Sequence, residues 1–157
     1  MREARVGRVM MIATLALFSL GCSDPVAPPL EPLPPGDALP PQVETMIFGS
    51  STPCLEDDGC SSGICTYGSC IGVLLADQRW MHARASARLR AEVDGRPELK
   101  PRVLTQLGRV AESSEADNAY RSRALRTLEV LGATGALRSL LEDPESRISD
   151  EAALALA

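Results

Sequence analysis

The chain has 157 residues and a formal net charge of −5, and although 45% of it is hydrophobic it holds only one Trp, two Tyr and two Phe. So few large side chains argue against a wide β-sandwich or a big ligand pocket and favour an Ala- and Leu-rich helical assembly. A single His excludes a multi-histidine metal site. The acidic balance offers no basic stripe for nucleic acid.

The first element is an export signal. Arg2, Arg5 and Arg8 against Glu3 form a positive n-region, and Val9–Leu20 is an uncharged apolar run of 12 residues. That run is short for a membrane span and of the size of a signal-peptide core. It closes on Ser19-Leu20-Gly21-Cys22. A small residue followed by Cys at this place resembles the lipobox of bacterial lipoproteins, with Ser19 a departure where a branched apolar residue is usual. The resemblance implies cleavage after residue 21, diacylglyceryl attachment to the Cys22 thiol and acylation of its new amine. An ordinary secretory signal with a coincidental Cys is the rival. Ser23 in place of Asp after the Cys favours the outer over the inner membrane by analogy. The expected location is the bacterial cell envelope, with the membrane reached through the lipid.

Residues 1–21 carry three Arg and one Glu, so a chain without them has a net charge of −7. From Cys22 to Cys70 there are seven acids and no base, whereas from Ile71 onward thirteen acids balance thirteen bases. An acidic stalk carries a neutral head. Attachment to anionic lipid would therefore depend on acylation and not on charge.

Eight of the twelve Pro fall between Pro25 and Pro41. Proline fixes φ and removes amide donors, so this stretch is expected as an extended spacer, the whole of 22–48 reaching roughly 80 Å at a polyproline rise. Its PxxP spacing also fits a ligand for proline-binding domains, but those are mostly cytoplasmic.

A four-cysteine module is expected over 49–72, with Cys54, Cys60, Cys65 and Cys70 in a C-x5-C-x4-C-x4-C spacing. In an exported chain an even, tightly spaced set implies disulfides, and about twenty residues need such crosslinks to hold a shape. Three connectivities are open. Spacing leans toward Cys54–Cys65 with Cys60–Cys70, two interlocked loops of similar size. A zinc site would need thiolates and usually CxxC knuckles. Calcium at Glu56-Asp57-Asp58 would need a shaped loop that consecutive acids do not supply. The stretch resembles the short C…DxxC…GxC…GxC repeats of predicted bacterial surface lipoproteins, which implies extracytoplasmic display and no activity.

From residue 73 to 157 the chain reads as helical. Leu74, Gln78, Met81, Ala85, Leu89 and Val93 predict a helix over Leu74–Glu92. Asp94-Gly95-Arg96-Pro97 stops it. Pro101 suits the first turn of a second helix with Val103, Leu104, Leu107 and Val110 inward. A third spans Ala119–Leu131 with Tyr120, Ala124, Leu125, Leu128 and Leu131 inward. Gly132 ends it, a short fourth carries Ala136, Leu137, Leu140 and Leu141, and Asp143-Pro144 precedes a fifth near Ile148.

The pattern Tyr120-Arg121-x-x-Ala124-Leu125-x-x-Leu128 superposes on Ile148-Ser149-x-x-Ala152-Ala153-x-x-Leu156 at an offset of 28 residues. With LGATGALRSLLEDPES between them, these segments are similar to HEAT repeats of the short, bilin-lyase-like kind. That likeness covers Ala119–Ala157 well and Leu74–Ser113 loosely, with Pro101 and Gln106 as departures. It implies an all-α fold, a short α-solenoid of antiparallel helix pairs. A generic helical bundle is the alternative. Ala153, Leu154 and Leu156 would then leave an uncovered ridge, either the start of further repeats or an association surface.

Little chemistry is expected. His82 has no nucleophile to serve and reads as a surface or rim residue, Trp80 as packing, and Glu112, Glu115 and Asp117 as solvated loop charge. There is no phosphate-binding Gly loop. The expectation is a non-enzyme without cofactor, an envelope lipoprotein whose helical repeats bind another envelope protein. The alternative makes the disulfide module an inhibitor- or toxin-like knob, with the helices as pedestal.

Overall fold

A computed structural model describes residues 38–157. The lipobox, Cys22 and most of the Pro-rich stretch lie outside the described residues.

The described chain opens with a helix where an extended spacer was expected. Helix α1 spans Pro41–Phe48. Proline is disfavoured inside a helix but favoured in its first turn, where the missing N–H would have no partner anyway. Pro41 stands there, and no proline interrupts QVETMIF behind it. Val43, Met46 and Ile47, at helical spacing, are buried. The last carbonyls of α1 are taken up from a distance: Val73 N–H donates to Met46 O (2.9 Å) and Leu74 N–H to Ile47 O (3.1 Å). That approach requires glycine at 72, because a Cβ there would sit 2.3 Å from Gly49 N and 2.5 Å from Ile47 O.

A small antiparallel sheet follows: β1 (Ser50–Pro53), β2 (Cys65–Thr66) and β3 (Ser69–Cys70), in the order β1-β3-β2. A 3-10 turn at Asp57–Gly59 stands between β1 and β2. Both strand pairings bring cysteine positions to β3, with Cys65 opposite Cys70.

Helix α2 is Arg79–Gly95, and Met81, Ala85, Leu89 and Val93 form its buried stripe at every fourth residue. It starts later than the expected Leu74, whose amide is committed to Ile47 O. Leu74 is nevertheless fully buried, and Gln78 is exposed as the residue before the helix. Helix α3 is Lys100–Glu112, with Pro101 in its first turn. Helix α4 is Asn118–Val130, capped by Asp117, whose side chain accepts from Ala119 N–H at 2.7 Å. Its C-terminus closes in a Schellman arrangement: Gly132 at φ 68° donates to Glu129 O, and Ala133 to Leu128 O. Helix α5 (Thr134–Ser139) runs into a 3-10 turn at Leu140–Glu142, and α6 is Ser146–Leu156. Helix α2 packs on α1 and α4, α4 on α3, α5 and α6, and α5 on α6.

One apolar core runs through all of this. Val43 and Ile47 of α1, Ile64 of the cysteine module, and Val73 and Leu74 of the connector join Leu89, Leu107, Leu125, Leu128, Leu137 and Ile148 in a single buried cluster. The cysteine module is thus packed on the helices as part of their core. The described chain is mostly helical with one small disulfide-bonded strand region. Among the described residues no helix is long and apolar enough to cross a membrane.

Candidate functional site

The four cysteines pair as Cys54–Cys65 and Cys60–Cys70, eleven and ten residues apart in sequence. This is the interlocked pairing that the spacing favours. Cys54, Cys60 and Cys70 bury their sulfurs in a small cluster of their own, with Cys65 packed on it. Every sulfur is spent on a bond to another, so the cluster presents no thiolate to a metal ion.

The acidic triplet beside them divides its roles. Asp57 accepts from Cys65 N–H at 2.9 Å and pairs with Arg84 of α2 at 2.8 Å. The Cys65 amide, and then the Arg84 guanidinium, hold the Asp57 carboxyl below its ordinary value against the opposing effect of desolvation. Asp57 therefore clips the module to the helices. Glu56 and Asp58 stand exposed on either side of it.

At the far end of the sheet, Tyr67 and Gly68 form the two-residue turn between β2 and β3, at φ 51° and 78°. Both central residues of such a turn need positive φ, which fits type I′ and favours Asn-Gly. Tyr67 is the sole non-glycine residue at positive φ among those described. Its side chain is fully exposed, as is that of Leu55. Cys54 N–H donates to Gly68 O at 3.1 Å, which sets Leu55 at the same end of the sheet as Tyr67. The sequence signal for this feature was the dipeptide Tyr67-Gly68 between two cysteines, which reads only as a turn until register is known.

His82 is a half-buried tie between helices. Its Nε2 lies 3.1 Å from both Arg123 O and Thr127 Oγ1 on α4. A carbonyl only accepts, so Nε2 carries the proton and donates. Burial pulls the His82 pKa below its ordinary value, with Arg126 and Arg123 adding to the effect and the bond to Arg123 O opposing it. His82 lines a cleft of about 660 Å³ with Asp77, Arg79, Arg123, Arg126 and Glu129. Arg123 is itself occupied, donating to Leu74 O at 2.7 Å and lying 5.6 Å from the Tyr120 ring centroid. The cleft mixes both signs of charge and converges on no nucleophile.

Other expected residues stand differently from the sequence reading. Trp80 is 57% exposed and donates to Gln78 Oε1, so it does not pack inward. Two residues apart on one helix, Trp80 and His82 do not face each other. Glu112 is the last residue of α3 and accepts from Ser139 Oγ at 2.9 Å, and Asp117 is a cap; neither is free loop charge.

Sequence reading passed over the strongest buried polar pair. Arg121 of α4 is 4% exposed; its guanidinium pairs with Asp143 and its Nε donates to Ala111 O at 2.9 Å. Asp143 also accepts from Glu145 N–H at 3.0 Å, shaping the turn into α6.

On α6, Ile148 and Ala152 are buried, Leu156 packs on the core edge, and Leu154 is 78% exposed. Leu154 borders a shallow groove with Leu125, Arg126, Glu129, Glu151 and Ala155. The expected ridge reduces to Leu154 with exposed Ala153 beside it.

No protein-family model, curated protein or solved structure matches the chain.

Proposed function

We propose that this chain is an envelope lipoprotein, anchored through acyl groups on Cys22 and held off the membrane by its Pro-rich stretch, whose helices bind another envelope protein. The helical part is read as a short HEAT-like stack. In support, α4 packs against both α2 and α6, and the equivalent segments around Tyr120 and Ile148 lie on the contacting helices α4 and α6. The observation that carries the binding role is Leu154: a large apolar side chain, 78% exposed, on α6 beside a groove lined by Leu125 and Ala155. In stacked repeats each pair buries its outer face on a neighbour.

The test uses the full chain in a bacterial host, with a photo-crosslinking residue at position 154 and metabolic labelling by a palmitate analogue. A discrete adduct with an envelope protein, lost together with the label in Cys22→Ala, is the expected result. An adduct and label that survive Cys22→Ala would sink the anchor, and silence at 154 would sink the helical docking face.

One observation favours the second reading, in which the cysteine module makes the contact: the exposed Tyr67 at positive φ.

A further inference from the structure

We propose that the Pro25–Pro35 stretch of this chain docks back onto an uncharged groove on the cysteine module, beside the end of α1. The inference goes beyond the spacer role given to that stretch above and does not depend on acylation of Cys22. The docked form is a retracted one, with the module drawn toward Cys22.

The groove holds about 410 Å³ where the end of α1 meets the three strands. Phe48 and Leu75, both half-buried, and the exposed Tyr67 give it apolar walls. Ser51, Thr66 and Ser69, one from each strand, add hydroxyls that make no side-chain hydrogen bond among the described residues. No charged side chain lines it, whereas the clefts at His82 and Leu154 carry both signs. Such a groove fits an occupant that is apolar on its inner side and rich in hydrogen-bond acceptors.

Pro25–Pro35 has that chemistry. Six of its eleven residues are proline, and its one charge is Glu31. Proline removes amide donors and leaves every carbonyl as an acceptor, and a polyproline helix makes no internal hydrogen bonds that would occupy them. At three residues per turn, Ala27, Leu30 and Leu33 fall on one ridge and Val26, Pro29, Pro32 and Pro35 on the next. Glu31 shares the third ridge with Pro25, Pro28 and Pro34, so two apolar ridges can enter the groove while the carboxylate stays in water. Aromatic side chains lining a groove are the usual receivers of such ridges, because the preformed helix loses little entropy on docking.

The geometry of attachment selects this occupant. The stretch joins the described chain near Ala38, whose carbonyl accepts from Arg102 of α3 at 3.3 Å. Gly36-Asp37 supplies the residues that a reversal needs. Beyond that turn, Pro25–Pro35 spans about 30 Å at a polyproline rise, against about 12 Å for the eight residues of α1. The part around Pro29-Leu30 therefore reaches Phe48 and the groove. A tether of this length gives an effective concentration on the order of mM, so a weak contact fills in preference to a free segment of the same kind.

The test uses the full acylated chain in detergent with a benzophenone side chain in place of Ser51, and maps the photoadduct by protease digestion and mass spectrometry. An adduct within one chain, from position 51 to the peptide holding Pro25–Pro35, is expected at a yield that tenfold dilution leaves unchanged. Leu30→Asp should lower that yield at least fivefold, and Glu31→Gln should leave it as it was. Tyr67→Asn should lower it as much as Leu30→Asp, because Asn accepts the positive φ of the turn but removes the wall. Equal effects of Leu30→Asp and Glu31→Gln would overturn the proposal, since the segment would then have no inner face. An unchanged yield in Tyr67→Asn would overturn it too, as would an equal yield from a benzophenone in place of the exposed Arg138 on α5, outside the groove. An adduct that fades on dilution would assign the groove to a second copy, and one with detergent alone, or none, would leave the groove without this segment; each of these outcomes overturns the proposal.

Discussion

Arg121 shows how one side chain organises several elements. It crosses from α4 to the end of α3 through Ala111 O and to the α5–α6 turn through Asp143, all away from water. Removing one member of a buried pair leaves the other charge uncompensated, at a cost of about 3–5 kcal/mol. Arg121→Ala should therefore lower unfolding free energy by about that much in urea titration, and Arg121→Ala with Asp143→Ala should recover part of the loss. A double variant no better than the single would show that the Ala111 contact dominates. His82 gives a pH dependence of defined sign. Its folded pKa is depressed, so the unfolded state binds the extra proton. Its contribution is fully present above the unfolded value near 6.5 and is lost as pH falls through the folded one. Stability measured from pH 7.5 down to 5 should drop, and His82→Gln should flatten that slope. An unchanged slope would place the effect elsewhere.

At the scale of elements, the disulfide pair replaces a core that seventeen residues cannot build. A loop of about ten residues removes roughly 3 kcal/mol of unfolded-state entropy per bridge. Cys60→Ser with Cys70→Ser should lower the unfolding free energy by about that much, seen as a fall in both Tm and denaturant midpoint. Cys54, Cys60, Cys65 and Cys70 should show no free thiol in the wild-type protein until it is reduced and four afterwards; four thiols without reduction would contradict the crosslinks. Helices α2 to α6 were legible because their apolar residues recur at helical spacing and Asp, Gly and Pro punctuate them. Helix α1 was not, because eight prolines dominate the preceding stretch and hide that the last of them sits where a helix tolerates it. Leu74 read as helical from its spacing, yet it is held by α1 across 27 residues, a contact no local pattern contains. Arg121 was passed over for a similar reason: a charge in a helix reads as solvent-facing unless its buried partner is known. The turn at Tyr67-Gly68 was legible, but its end of the sheet and the exposure of Leu55 beside it depended on register.

At the scale of the whole molecule, the described residues share one core, since Ile64 of the module and Val43 and Ile47 of α1 pack in the same cluster as Leu107 and Ile148. Unfolding should accordingly be cooperative. Helix loss followed by circular dichroism and exposure of the disulfides followed by their rate of reduction should report the same midpoint within error. Two separated transitions would mean that module and helices hold together independently.

The two bonds from Val73 and Leu74 to the end of α1 also set a mechanical route. A pull applied at Ala38 passes down α1 and crosses at Met46 and Ile47 directly into the connector ahead of α2. The cysteine loop between them is bypassed, like a buckle hanging beside a taut strap. Tension entering at Ala38 would thus be borne by the helices, and the turn at Tyr67-Gly68 would keep its shape under load.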